Sequence, residues 1–193
     1  MGIAPLYWFV FVGLFSPGPN VILLSTSAAR FGARATWPHI AGVVLGVGII
    51  GAVIGLGTGA VLETRPELGL AFQVISFFWI LWLAYRLLTS GGKKAGRTAR
   101  PFRLVEAVLF QWVNPKIWAI ALAASAGFSL GLPPVEEAVR LATALSGINL
   151  LVCIFWVYSG ALLGRLMQSE RAWRTFRIAM ATALALSALA VIR

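Results

Sequence analysis

Long apolar runs alternate with short, basic, polar gaps along the whole chain. Six runs can be drawn, at about 5–29, 38–62, 68–88, 105–131, 140–164 and 173–192. A helix needs roughly 20 apolar residues to cross the hydrocarbon of a bilayer, so each run predicts one transmembrane helix. The gaps are distinct. Arg30 and Arg34 follow the first run, and Glu63-Thr64-Arg65-Pro66-Glu67 makes a turn after the second. The longest hydrophilic stretch, 89–103, carries Lys93, Lys94, Arg97, Arg100 and Arg103, and divides the chain into 1–88 and 104–193. Pro133-Pro134 with Glu136-Glu137 precede the fifth run, and Arg165, Glu170, Arg171, Arg174 and Arg177 precede or open the sixth.

Two runs are interrupted from within. Ser16-Pro17-Gly18-Pro19-Asn20 breaks the first, and Asn114-Pro115-Lys116 breaks the fourth. Proline removes a backbone donor and clashes with the carbonyl one turn back, so an unbroken helix is not expected at either place. Pro19 and Pro115 stand 96 residues apart, half the chain. Three spans on each side of the linker place the halves in opposite orientations. The expected fold is therefore all-α and integral to the membrane, with six transmembrane helices as two inverted three-helix repeats and broken helices 1 and 4. This is a single membrane domain, and its symmetry is one of layout more than of residue identity. Inverted repeats with broken helices at matching places are a transporter architecture.

Composition narrows the class. Of 193 residues 60% are hydrophobic and 11% charged, with a mean hydropathy of +0.88; a water-facing shell must be largely polar. The net charge of +10 arises from 16 Lys and Arg against six Glu, with no Asp. These basic residues lie in the gaps, which suits anionic lipid at a cytoplasmic face and argues against nucleic acid. Loops one, three (taken from Arg86 through Arg103) and five carry two, six and four of them, loops two and four one each. The excess places loops one, three and five in the cytoplasm and both termini outside. No Lys or Arg precedes Arg30, so the first run reads as a retained helix, since a signal peptide carries a positive start.

The candidate chemistry is sparse. Lys116 is ionisable within a span, which is a functional hypothesis by default; snorkelling or pairing with Glu106 are the plainer alternatives. His39, the one histidine, titrates near neutral pH and is a candidate for proton coupling, although a capping or interfacial role is the stronger expectation. Asn20, Gln111, Asn114 and Asn149 are the neutral polar groups expected to face a pathway. Broken helices present half-helix N-termini to anions and open carbonyls to cations, which suits a zwitterion. With one His, one Cys and no Asp, neither a metal site nor a Ser-His-Asp triad is expected, nor any cofactor. Cys153 reads as a small buried apolar side chain. The glycines Gly42, Gly46, Gly51, Gly55 and Gly59 overlap as GxxxG pairs, which serve packing within a monomer or in a homodimer alike.

Ser16-Pro17-Gly18-Pro19-Asn20, then Arg30-Phe31-Gly32 and the glycine-rich second run, resembles the start of the lysine-exporter (LysE/RhtB) family. Phe110-Gln111-Trp112-Val113-Asn114-Pro115-Lys116 resembles its second motif, and Leu83-Ala84-Tyr85-Arg86-Leu87-Leu88 is similar to the end of its third helix. The resemblance covers essentially the whole chain, although the stretch before Ser16 is short for the family. It implies a secondary exporter of an amino acid or amino-acid derivative in the bacterial inner membrane, driven by the proton gradient. It also implies that Pro17, Gly18, Pro19, Asn20, Asn114, Pro115 and Lys116 lie at the functional core; Gln111 is added to this candidate site as a polar group expected to face the pathway. A cationic cargo would need a counter-charge, so a neutral amino acid is favoured. A channel or exporter of another small solute is the alternative, and a membrane enzyme a weaker one.

Overall fold

The computed structural model describes residues 4–58, 66–89, 100–167 and 169–189, and among them all regular structure is helical. In chain order the helices are α1 (Ala4–Phe15), α2 (Pro19–Phe31), α3 (Ala33–Val53), α4 (Pro66–Thr89), α5 (Leu104–Trp112), α6 (Pro115–Phe128), α7 (Pro134–Leu166) and α8 (Glu170–Leu189). A π-helical turn, Ile54–Thr58, extends α3 and is kinked at Gly57, whose φ of 93° is a left-handed conformation that favours glycine. The turn residues 63–65, most of the basic linker (90–99, with Lys93, Lys94 and Arg97), Gly59 and Arg193 lie outside the described residues.

Both expected breaks are present. The first run bends by 57° between α1 and α2, the fourth by 63° between α5 and α6. Pro19 and Pro115 open the second half-helices, a position where the missing N–H costs nothing. The helices start earlier than hydropathy suggested. Segments expected from 38, 140 and 173 begin at Ala33, Pro134 and Glu170, because apolar content does not register a polar first turn. In α7 that turn carries Glu136 and Glu137, favoured by the helix dipole. Arg140 is thus a helical residue. It pairs with Glu137, and its Nη2 donates to the Phe128 carbonyl at the end of α6, 2.9 Å away.

Helices α3 and α7 pack on each other at the centre, with Ile40, Val43, Val47, Ile50, Leu141, Leu145 and Val157 fully buried. Helix α3 also carries α5 and α6, as α7 carries α1 and α2, while α4 packs on α8. Exchanging the first half for the second maps this set of neighbours onto itself. Small residues permit the approach. A Cβ on Gly160 would lie 2.4 Å from the Ser25 carbonyl oxygen, and one on Gly164 2.2 Å from that of Ala29. Gly42 and Gly46 meet α5, whereas Gly51 and Gly55 meet α7, so these glycines are taken up by contacts within the chain.

The outward faces are apolar, with Trp8, Val12, Phe78, Leu151 and Leu186 all exposed. Such a surface is at home in lipid. By length and composition, Ala33–Gly57 and Pro134–Leu166 each suffice to cross a bilayer, and each bent pair adds one span, giving two to four among the described residues. The apolar stretch of α4 is shorter, Gln73–Thr89, and α8 opens with Arg171, Arg174 and Arg177.

The backbone contact at Gly160 yields a sharp expectation. Gly160→Ala forces α2 off α7 and lowers stability by about 1–3 kcal/mol, the usual cost of overpacking. Gly147→Ala, in the same helix but with open space around it, raises it by up to about 1 kcal/mol through helix propensity. Thermal unfolding of the two variants in detergent decides; equal melting temperatures would contradict the packing described.

Candidate functional site

The two breaks meet. Lys116, in the first turn of α6, extends its side chain to the end of α1, where Nζ donates to the Ser16 carbonyl at 2.5 Å and to Ser16 Oγ at 2.9 Å. The Ser16 hydroxyl in turn donates to the Gly13 carbonyl at 2.9 Å. The last carbonyls of a helix lack intrahelical partners and carry partial negative charge, so an ammonium is the fitting group there. The stem of Lys116 lies over Gly18, where a Cβ would stand 2.9 Å from both Cδ and Nζ. Gly18 has extended backbone, φ −170°, which any residue adopts. Space alone, and not conformation, therefore calls for glycine at this position. Glu106, the alternative partner of Lys116, is engaged elsewhere: it accepts from Arg100 at 2.5 and 2.8 Å and from the Arg103 N–H at 2.8 Å.

A second link joins the halves. Asn20 Nδ2 donates to Gln111 Oε1 at 2.8 Å, and Gln111 Nε2 donates back to Asn20 Oδ1 at 3.2 Å and to the Ala107 carbonyl at 2.9 Å. Both side chains are buried, and each amide satisfies the other, as buried polar groups require.

Beside these links lies a narrow cavity with free space for about one water molecule, lined on one side by Gly18, Asn20, Asn114 and Lys116 from the breaks. The facing wall is one stripe of α7: Asn149, Val152, Cys153 and Trp156, residues spaced to share a helix face. Asn114 is the N-cap of α6 but makes no side-chain capping bond, although asparagine is among the best N-caps. Its Oδ1 and Nδ2 are both buried without a partner, as are Asn149 Nδ2 and Trp156 Nε1.

The expected site residues therefore separate into groups. Gly18, Asn20, Asn114 and Lys116 line the cavity, and Gln111 braces Asn20 from behind. Pro19 and Pro115 shape the breaks, while Pro17 sits exposed in the first bend. His39 does not line the cavity. It is 1% exposed within α3, its ring 5.0 Å from that of Phe102 and tilted by 32°, with neither nitrogen hydrogen-bonded, so the capping role expected of it is not what it performs. Among the described residues no three His, Cys, Asp or Glu side chains gather as a metal site. Sequence reasoning missed Trp156 and the Ser16 carbonyl as Lys116's partner. Only the seven-residue spacing of Trp156 from Asn149, on a face already marked by a polar residue, signalled the first.

Residues 11–193 match the LysE type translocator family, and the chain belongs to it. Curated relatives include the cysteine/O-acetylserine efflux protein of Escherichia coli (strain K12), 27% identical over 163 residues that cover 84% of this chain and 82% of the relative. The protein of that name from Shigella sonnei is equally similar, and that of Escherichia coli O1:K1 is 26% identical over the same coverage. No solved structure matches the chain. The chain is accordingly a translocator and not an enzyme.

The paired amides lend themselves to a double-mutant cycle. Gln111→Leu strands the buried Asn20 amide and costs about 1–3 kcal/mol. Asn20→Leu/Gln111→Leu recovers much of that, because removing both partners leaves nothing unsatisfied. Unfolding midpoints in detergent measure the coupling; strictly additive losses would mean that the pair does not exist.

Proposed function

We propose that this translocator exports an amino acid or amino-acid derivative by alternating access about its two broken helices, with the cargo held in the cavity where the breaks meet. The observation that carries this reading is the junction itself. Two matched breaks, 96 residues apart in sequence, are tied by Lys116 to Ser16 and by Gln111 to Asn20. Efflux of cysteine and O-acetylserine, named for the relatives, supports an amino-acid cargo. The Lys116–Ser16 contact is the gate. It closes one end of the cavity with a bond that a cargo carboxylate competes for, so that binding and opening are linked.

The architecture proposed is six spans as two inverted repeats, with α4 and α8 crossing as the third helix of each half. The exchange of neighbours between halves supports it, as does the central pairing of α3 with α7. The membrane is the bacterial inner membrane, with loops one, three and five cytoplasmic and both termini outside, on the distribution of Lys and Arg. Export is coupled to the proton gradient, and His39 carries the coupling proton. It is the one histidine of the chain and is buried within α3 without a hydrogen bond.

Counterflow in proteoliposomes tests the gate. Lys116→Ala slows exchange of labelled L-cysteine roughly tenfold or more, the order expected for loss of a charged hydrogen bond. Gly18→Ala gives a similar loss with an unchanged melting temperature, since its methyl displaces only the end of a flexible side chain. In Gly18→Ala/Lys116→Ala the two losses do not add, because the methyl has nothing left to displace. Full exchange by Lys116→Ala at normal protein level would overturn the gate. For the coupling, His39→Phe retains counterflow but loses acceleration by an imposed pH gradient. An undiminished response to the gradient would remove His39 from that role.

A further inference from the structure

The cavity carries an imbalance that the gate does not use. Three of its buried N–H donors have no partner: Asn114 Nδ2, Asn149 Nδ2 and Trp156 Nε1. Among its described side-chain acceptors, Asn114 Oδ1 is the buried one without a partner, since Asn149 Oδ1 accepts from the Cys153 thiol at 3.7 Å. Asn114 is 0% and Asn149 2% exposed. An unsatisfied buried polar group costs about 1–3 kcal/mol, and such groups are rare enough in folded proteins that each needs a reason. Three around one small space point to a common ligand that supplies acceptors.

The remaining lining defines the rest of that ligand. Lys116 provides a positive charge in the wall, and no carboxylate lines the cavity. Leu14, Val21, Leu24, Ile117 and Val152 provide an apolar side. A carboxylate has two oxygens with about four acceptor sites, enough for three donors and the ammonium together. A cationic side chain on the cargo would find no counter-charge among the described lining residues.

We propose that Asn114, Asn149 and Trp156 form the carboxylate-binding site of the cargo, with its uncharged side chain against the apolar wall. This rests on the exporter reading for the identity of the ligand as cargo, and deepens it by naming the group that is recognised and the residues that recognise it. Trp156 is the specificity-determining member added by the structure. It comes from the long helix α7 and not from either break, and its ring is held against Phe15 at 5.4 Å and Phe155 at 5.5 Å. The indole N–H is thereby fixed in place before the ligand arrives, which lowers the ordering cost of binding.

The test is equilibrium binding of labelled L-cysteine to the purified full chain in detergent, with competitors. L-Alanine and O-acetyl-L-serine displace the label, whereas L-alaninamide, which keeps the ammonium and lacks the carboxylate, competes at least tenfold less well, and so does L-lysine. Trp156→Phe keeps the ring and loses the N–H. It weakens binding of L-cysteine roughly tenfold with an unchanged melting temperature, and it no longer discriminates alanine from alaninamide to the same degree. Asn149→Ala behaves alike. Equal competition by the amide, unaltered affinity in Trp156→Phe, or no saturable binding of L-cysteine, L-alanine or O-acetyl-L-serine to the wild-type chain would each overturn the proposal, leaving the donors to water. Carboxylate-selective binding without counterflow would keep the site and refute export. Counterflow indifferent to the carboxylate would keep export and refute the site.

Discussion

A helix interrupted inside a membrane leaves backbone groups that lipid cannot satisfy, and this constraint organises the whole molecule. Each break must be covered by protein, and here each is covered from the other half of the chain. The open end of α1 receives the ammonium of Lys116 from beyond the second break. Asn20, just past the first break, is satisfied by Gln111, just before the second. Neither break is stable as a local feature, so the two become one site.

Bringing them together requires the surrounding helices to come unusually close. Glycines on α3 and α7 provide this, and at Gly160 and Gly164 the neighbouring backbone of α2 occupies the space a side chain would need. Helix α7 thereby presses against the second half of α2, at Ser25 and Ala29. The same helix turns Asn149, Cys153 and Trp156 towards the cavity. Packing and the cavity wall thus share one element, and the side-chain polar groups left unpaired lie where the packing is otherwise complete. The proposed gate of one lysine and one serine suits this setting, because its bonds are strong in a low dielectric yet replaceable by a ligand with the same acceptors.

Much of this was written in the residues. The two breaks follow from Pro17, Pro19 and Pro115, since proline chemistry is local and needs no tertiary context. The all-helical architecture follows from the apolar runs for the same reason, and Lys116 stood out as a charge in an apolar segment. Helix starts were less legible: Pro134 and Glu170 begin helices through N-terminal position effects that hydropathy does not weigh. The partner of Lys116 was not legible at all, because a backbone carbonyl leaves no mark on a sequence. Trp156 was hidden among aromatics that pack or face lipid, and only its buried, unbonded indole nitrogen distinguishes it. His39 drew attention through its titration range, whereas its place against Phe102 depends on a fold that the sequence does not spell out.

The most direct measurement of the central claim is net flux of labelled L-cysteine in proteoliposomes of the wild-type chain, followed with and without a pH gradient. If the two breaks form a single alternating-access site, flux saturates with cargo, is accelerated by cargo on the opposite side, and becomes concentrative under the gradient. Flux that rises in proportion to concentration without saturation or exchange would instead describe an open channel, and the joined breaks would then be a structural brace alone.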